Sequence, residues 1–239
     1  MKKVLFFILL NSFILNSCND TENKQQNTTT TVNDNNIDKG LVTFLPFNGN
    51  TNDESSNKLN IQNEGAVLTK DRNGNENKAY SFDGQNSFIK IALDINPEKF
   101  KDLTISTWVK ADKFQNRMAI ISNDDGNFDR TIGIDERGGS ESWSVFGGNC
   151  EVISGDLISP NQWTFLTVRY DQTNKTIDFF VNNKKISKNG CEIGSSEHKF
   201  FNIGKNPSFS EFFKGEIDEV RVYNRLLSDD EVNKLYSMK

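Results

Sequence analysis

The chain has 239 residues, a formal net charge of −5 and a single histidine. The acidic balance, without a basic stripe, argues against a nucleic-acid partner; one His gives no zinc site built on imidazoles, and three Cys are too few for a disulfide-knit scaffold. Nineteen Phe beside three Trp and four Tyr supply enough apolar bulk for a sizeable core, which excludes global disorder.

Met1-Lys2-Lys3 is a short cationic start, followed by the apolar run Val4–Leu10, which Phe13-Ile14-Leu15 extends past Asn11 and Ser12. A spanning helix needs about 20 apolar residues, so this shorter, interrupted stretch reads as a secretory signal. It ends at Leu15-Asn16-Ser17-Cys18. That tetrapeptide resembles the bacterial lipobox; Ser17 fits the small-residue preference and Asn16 departs from it. The resemblance implies cleavage before Cys18 and a diacylglyceryl group on its thiol, the alternative being an ordinary signal with an unrelated Cys. A single acyl chain, at ~0.8 kcal/mol per buried CH₂, holds marginally, and several chains hold firmly. Removing residues 1–17 takes two lysines and no acid, leaving 26 cations against 33 acids, a net of −7. Such a body meets an anionic membrane only through its lipid anchor.

Residues 19–36 contain six Asn, five Thr and two Gln among 18 positions, with Val32 the one aliphatic. This composition cannot bury enough apolar area to offset its ordering entropy, so 18–39 reads as lipidated Cys18 plus a flexible tether. In the lipoproteins this start resembles, early acids such as Asp20 and Glu22 mark export to the outer face. The expected location is therefore the bacterial outer membrane, facing either the periplasm or the cell surface.

From residue 40 onward, short alternating runs predict strands: 87–92, 103–110, 117–122, 163–170 and 176–181. In 103–110, Leu103, Ile105, Thr107 and Val109 share one face and Trp108 takes the other. Turn-rich clusters at 72–75, 82–86, 123–127 and 137–139 separate the runs, and Asn182-Asn183 reads as a hairpin turn. Many short strands with no long helical period indicate an antiparallel sandwich or barrel. One helix is predicted at the end: Ser228 and Glu231 make a capping box, Leu227 and Val232 a hydrophobic staple, and Val232, Leu235 and Tyr236 an apolar stripe.

Four landmarks occur in order: Ala79–Ile91, Leu103–Lys110, Asn161–Asp171 and Lys214–Val232. Together they resemble the LamG-like, concanavalin A-like jelly-roll family. The resemblance covers 40–239 and implies an all-β, two-sheet antiparallel sandwich with a short C-terminal helix, often with one structural calcium. It does not fix a ligand, because this fold serves sugar binding, protein adhesion and glycan hydrolysis alike.

The related glucanases carry two catalytic carboxyls on one strand face, about 5–5.5 Å apart for retaining hydrolysis. Here Glu216 and Asp218 are spaced i, i+2, the next same-face position is Val220, and position 221 is Arg221, so the second catalytic Glu is missing. His198 sits in a polar stretch without the motif of the jelly-roll lyases, and no nucleophile elbow is present. No enzyme activity is expected.

Asp218 has the parity of Val220 and Val222, so a core-facing pair of valines brings its carboxylate inward, where it needs a partner. In the family this Asp lies near the first-strand turn, which here offers Asn48, Asn50, Asp53 and Glu54. Calcium takes roughly six to eight oxygens, many from the backbone. Asp53, Asp218 and Asn48 are the expected calcium ligands; the alternative is that Asp218 ties down a loop. The acid- and amide-rich stretches 71–77 and 123–129 lack the Gly and closing Glu of the helical calcium loop and read as turns.

For a saccharide, Trp143 is the candidate aromatic, with Asp125, Asn127 and Arg130 in a loop nearby in sequence; Asp124 and Phe128 share that loop. Phe209, Phe212 and Phe213 offer a second aromatic edge. The competing reading of Trp143 is core packing. With Cys18 lipidated, Cys150 and Cys191 are left in an exported protein, where oxidation is favoured, and a disulfide is expected between them, against two unrelated buried thiols. The functional expectation is a monomeric lipoprotein presenting a glycan-binding domain. A protein-binding adhesion or assembly module is the alternative and a divergent glycan hydrolase the minor one.

Overall fold

The computed structural model describes residues 36–113, 117–138, 141–150 and 152–238. The expected signal segment, Cys18 and most of the expected tether lie outside the described residues. With strands numbered in chain order, one sheet runs β13 (Lys184–Asn189), β12 (Thr176–Val181), β11 (Thr164–Asp171), β6 (Asp102–Ala111), β15 (Lys214–Tyr223), β4 (Ala79–Asp83) and β3 (Val67–Thr69), with β1 (Leu41–Leu45) also on β15. The other runs β10 (Ile153–Leu157), β9 (Ser142–Phe146), β8 (Thr131–Asp135), β7 (Arg117–Ser122), β14 (Phe201–Ile203), β5 (Phe88–Ile91) and β2 (Ile61–Glu64). Neighbouring strands in both sheets pair antiparallel, and β15 returns late in the chain to sit between β4 and β6. This is the two-sheet sandwich that the family resemblance implies, and one of the two architectures, sandwich or barrel, that the strand spacing allows.

Alternation builds the core. Leu103, Ile105 and Val109 of β6 point inward to meet Ile132, Trp143 and Val145 from the facing sheet. Trp108 takes the opposite face, where Phe165, Phe180 and Tyr223 form a second apolar cluster. The amphipathic helix α1 (Asp229–Ser237) covers that cluster with Val232 and Leu235. Its N-terminus closes as the sequence predicts: Glu231 N donates to Ser228 Oγ at 3.2 Å, and Ser228 N donates to Glu231 Oε2 at 2.8 Å. Tyr236 stacks on Trp108 with centroids 5.8 Å apart.

One irregularity overturns a parity expectation. Glu219 sits at φ +51°, and the β15–β6 register shifts between Asp218 and Arg221. This bulge inserts one residue, so Ile217 and Val220, three apart, both enter the core. Asp218 therefore does not follow the valines inward. It lies opposite Trp108 in the ladder, on the outer face of the sheet.

Cys150 and Cys191 are bonded, with Cα atoms 5.1 Å apart. Cys150 follows β9 and Cys191 follows β13, so the bridge joins loops of the two different sheets at one end of the sandwich.

Candidate ligand-binding cleft

The turn between β7 and β8 is an acid-organised loop. Asp124 Oδ1 accepts from the N–H groups of Gly126 and Asp129, both at 3.1 Å, and its Oδ2 accepts from Asn206 Nδ2 at 3.0 Å. Asp125 Oδ2 accepts from Glu197 N at 2.7 Å and Oδ1 from Asn127 Nδ2 at 2.8 Å. The Glu197 N–H bond is the main reason its carboxyl lies below the usual range. These bonds fold the loop so that Phe128, at φ +60°, turns outward and stays 41% exposed. A bulky residue in the left-handed region is uncommon and is held only by such surroundings.

Phe128 stands edge-on to Phe146, centroids 5.7 Å apart, and the Arg137 guanidinium lies 4.9 Å from one ring and 5.6 Å from the other. Asp135 fixes that guanidinium through both carboxylate oxygens. Phe128, Arg137, Gly148, Asn149, Cys150 and Val152 border an open cleft of about 650 Å³, within the size range of small-molecule sites. Gly148 N donates to Phe128 O, and a Cβ on Gly148 would meet the Glu192 carbonyl oxygen at 1.9 Å. Only glycine permits that approach, at φ +63°. The disulfide anchors the same wall.

On the other side of Phe128 and Arg137, a smaller recess is bounded by Arg117, Asp124, Phe209 and Glu211. Phe209 is 46% exposed, and Glu211 is pushed upward by burial. The rim thus carries two exposed aromatic rings within a frame of amides, carboxylates and guanidinium groups.

Two expected ligand-binding residues are elsewhere. Trp143 is 1% exposed and belongs to the core: it alternates with Val145 as expected, but that shared face of β9 is the inner one. Arg130 is also buried; its guanidinium donates to the carbonyls of Ile95 and Phe100 and lies 5.2 Å from the Tyr170 ring. Burial lowers its pKa to about 10. It is an internal strut. Asp125 and Asn127 share the β7–β8 loop with Phe128 but do not border the cleft. Arg137 and Gly148 went unmarked in the sequence except as members of Gly-rich turns.

The expected calcium ligands do not form one site. Asp53 Oδ1 accepts from Phe44 N and Ser55 N, and its Oδ2 from Leu59 N and Ser55 Oγ, all at 2.9 Å. Burial opposes its ionisation, and the N–H groups of Leu59, Phe44 and Ser55 outweigh it, so the carboxyl is held below its usual range. Asp218 instead contacts Arg72 Nη1 at 2.7 Å, and Asn48 borders that pocket while Asp53 borders another. Among the described residues, the acids close enough to share a cation are Asp124, Asp125 and Asp129, with carboxylate oxygens within 4.8 Å of one another. Burial raises Asp129 to about 7, aided by Asp125 and Asp124, and its Oδ1 is buried with no hydrogen-bond partner. Glu216, the other carboxylate of the strand motif, pairs with Lys110.

A family model described as the concanavalin A-like lectin/glucanases superfamily matches residues 83–233. No curated protein sequence matches the chain. Among solved structures, the binding domain of Paraclostridial Mosquitocidal Protein 1 superposes with a TM-score of 0.68 at 20% identity, covering 84% of this chain and 52% of that one. Domain 4 of AbnA, a GH43 extracellular arabinanase from Geobacillus stearothermophilus solved in complex with arabinotriose, gives 0.65 at 21% identity, covering 82% and 98%. The botulinum neurotoxin serotype D binding domain gives 0.63 at 16% identity, covering 84% and 52%. This chain thus spans about half the length of the two toxin domains, and at these identities the likeness is one of fold. Two antiparallel sheets in this order, the closing strand with its capped helix, and the family match over most of the chain establish that it belongs to the concanavalin A-like lectin/glucanases superfamily.

Proposed function

We propose that this protein is an exported, lipid-anchored lipoprotein whose jelly-roll domain binds a glycan in the cleft beside Phe128 and Arg137. The observation that carries this reading is the outward-turned Phe128 at the mouth of a cleft of about 650 Å³, buttressed by Arg137 and Phe146. A sugar presents apolar C–H faces and a ring of hydroxyls. An exposed aromatic ring covers the first, and Asn149, Arg137 and the Gly-rich backbone can meet the second. The arabinotriose complex of one fold neighbour supports the reading, as does the prevalence of binding domains among these neighbours. Glu216 and Asp218 are each occupied by a cation of the same chain, which supports binding over hydrolysis.

A glycan array probed with wild type and Phe128→Ala tests this. The expected result is a defined set of oligosaccharide ligands, with binding weakened about tenfold or more in the variant at unchanged thermal midpoint. No glycan signal, or equal binding by both proteins, would overturn it. In that event the protein-binding alternative gains ground.

A further inference from the structure

Asp218 and its neighbour Glu219 are brought to one place by the bulge in β15, and what meets them there is Arg72 from the 72–75 turn. Arg72 Nη1 lies 2.7 Å from Asp218 Oδ2, and Nη2 lies 3.4 Å from Glu219 Oε2. Nη2 also donates to the Met238 carbonyl at 3.2 Å, and the guanidinium carbon sits 5.0 Å from the Trp108 ring centroid. The Arg72 side chain is 9% exposed and that of Asp218 3%. Arg221 completes the group at 2.9 Å from Glu219 Oε2, so two carboxylates face two guanidinium groups.

These residues do not fit a bound calcium ion. Such an ion needs roughly six to eight oxygens converging on it, and Asp218 is already turned to a nitrogen donor. Asp71, the next nearest acid, is spent on the N–H groups of Asn73 and Asn75 and on the Asn75 amide. Asp53 is saturated by its own loop. A guanidinium beside a buried carboxylate supplies the same compensating charge that a metal would, with planar donors and a covalent tether that prevents loss to solvent.

We infer that Arg72 is the resident cation of this pocket, taking the place of a divalent ion at Asp218 and Glu219 and making the seam between β15, the 72–75 turn and the C-terminal segment independent of calcium. The inference concerns a pocket separate from the Phe128 cleft and stands whether or not that cleft binds a glycan.

Thermal unfolding of the purified protein tests it in four versions: wild type, Arg72→Met, Asp218→Asn and the double variant, each with EDTA and with excess calcium. Arg72→Met strands a buried carboxylate and is expected to lower the midpoint by about 10 °C, while the double variant recovers part of that loss. In wild type and Asp218→Asn the calcium shift should be the same, because an ion bound elsewhere moves both alike. A larger calcium shift in wild type than in Asp218→Asn would place an ion on Asp218 and overturn the inference. So would additive effects of the two substitutions. If Arg72→Met does not fold, Arg72→Lys keeps the charge and should fold, and the comparison of wild type with Asp218→Asn decides the matter alone.

Discussion

The molecule places similar components in two regions and uses them in opposite ways. Under the bulge of β15, Arg72 lies over Trp108, contacts Asp218 and Glu219, and is closed in near the C-terminal segment. At the turn after β7, Arg137 lies over Phe128 among Asp124, Asp135 and Glu211, but the ring is exposed and the cleft is open. In the first region each acid meets a guanidinium. In the second, the buried Asp129 Oδ1 has no partner and Phe128 is held in a left-handed backbone conformation. A closed arginine–aromatic pair is taken up by the acids of its own chain, whereas an open one beside a cavity is available to a ligand. The same residue types therefore carry different roles according to what covers them.

The largest effect expected is at Trp143, which lies in the core. Trp143→Ala should cost about 3–5 kcal/mol in urea unfolding. A loss below about 1 kcal/mol would mean that the ring is a surface feature and would return it to the list of ligand contacts. Next comes the disulfide, which fastens the wall of the open cleft. Its sequence separation of 41 residues corresponds to about 4 kcal/mol of chain-entropy stabilisation, which native strain can reduce. The Cys150→Ser, Cys191→Ser protein should unfold about 10 °C lower, measured by circular dichroism, and an unchanged midpoint would show that the bridge does not constrain the fold.

The smallest effect concerns the helix that closes the other region. Arg225 hydrogen bonds hold Glu231 down to about 2, with the Ser228 cap adding to them, against 4.5 for the unperturbed group. A depressed folded-state value means the contribution is complete above about 4.5 and is lost as the pH falls towards about 2. Glu231→Gln should lower the thermal midpoint by a few degrees at neutral pH and reduce the acid-side slope. Identical midpoints from pH 3 to pH 7 would show that the capping carboxylate is not coupled to stability.

Much of the fold was legible because its signals are local. The runs 117–122 and 176–181 are short, apolar-rich stretches that coincide with β7 and β12, and the Ser228–Glu231 box marks the helix start through two side chains three residues apart. The disulfide was legible because a lipidated Cys18, as expected from the sequence, leaves two of the three cysteines in a chain expected to be exported. The sites were less so. Period-two counting placed Asp218 with Val220, but one extra residue at Glu219 reverses the face, and nothing in the local sequence announces a bulge there. Arg72 and Asp218 are 146 residues apart, so their pairing depends on how β4 and β15 are threaded. For Trp143 the alternation was visible, but which face met the core depended on the opposing sheet. Asp125, Asn127 and Phe128 were legible as members of one turn, because acids, amides and glycine around an aromatic mark a shaped turn. Arg137 and Gly148 reach it only through the β7–β8–β9 meander.

The most direct test of the ligand site is an amide chemical-shift titration of the isotope-labelled protein with the strongest oligosaccharide from the array. The account predicts that the largest shifts fall at Gly126, Phe128, Gly138, Gly148 and Asn149, with the amides of Asn73, Asn75 and Asp218 unmoved. Shifts centred on the Arg72–Asp218 pocket, or spread evenly without saturation, would contradict it.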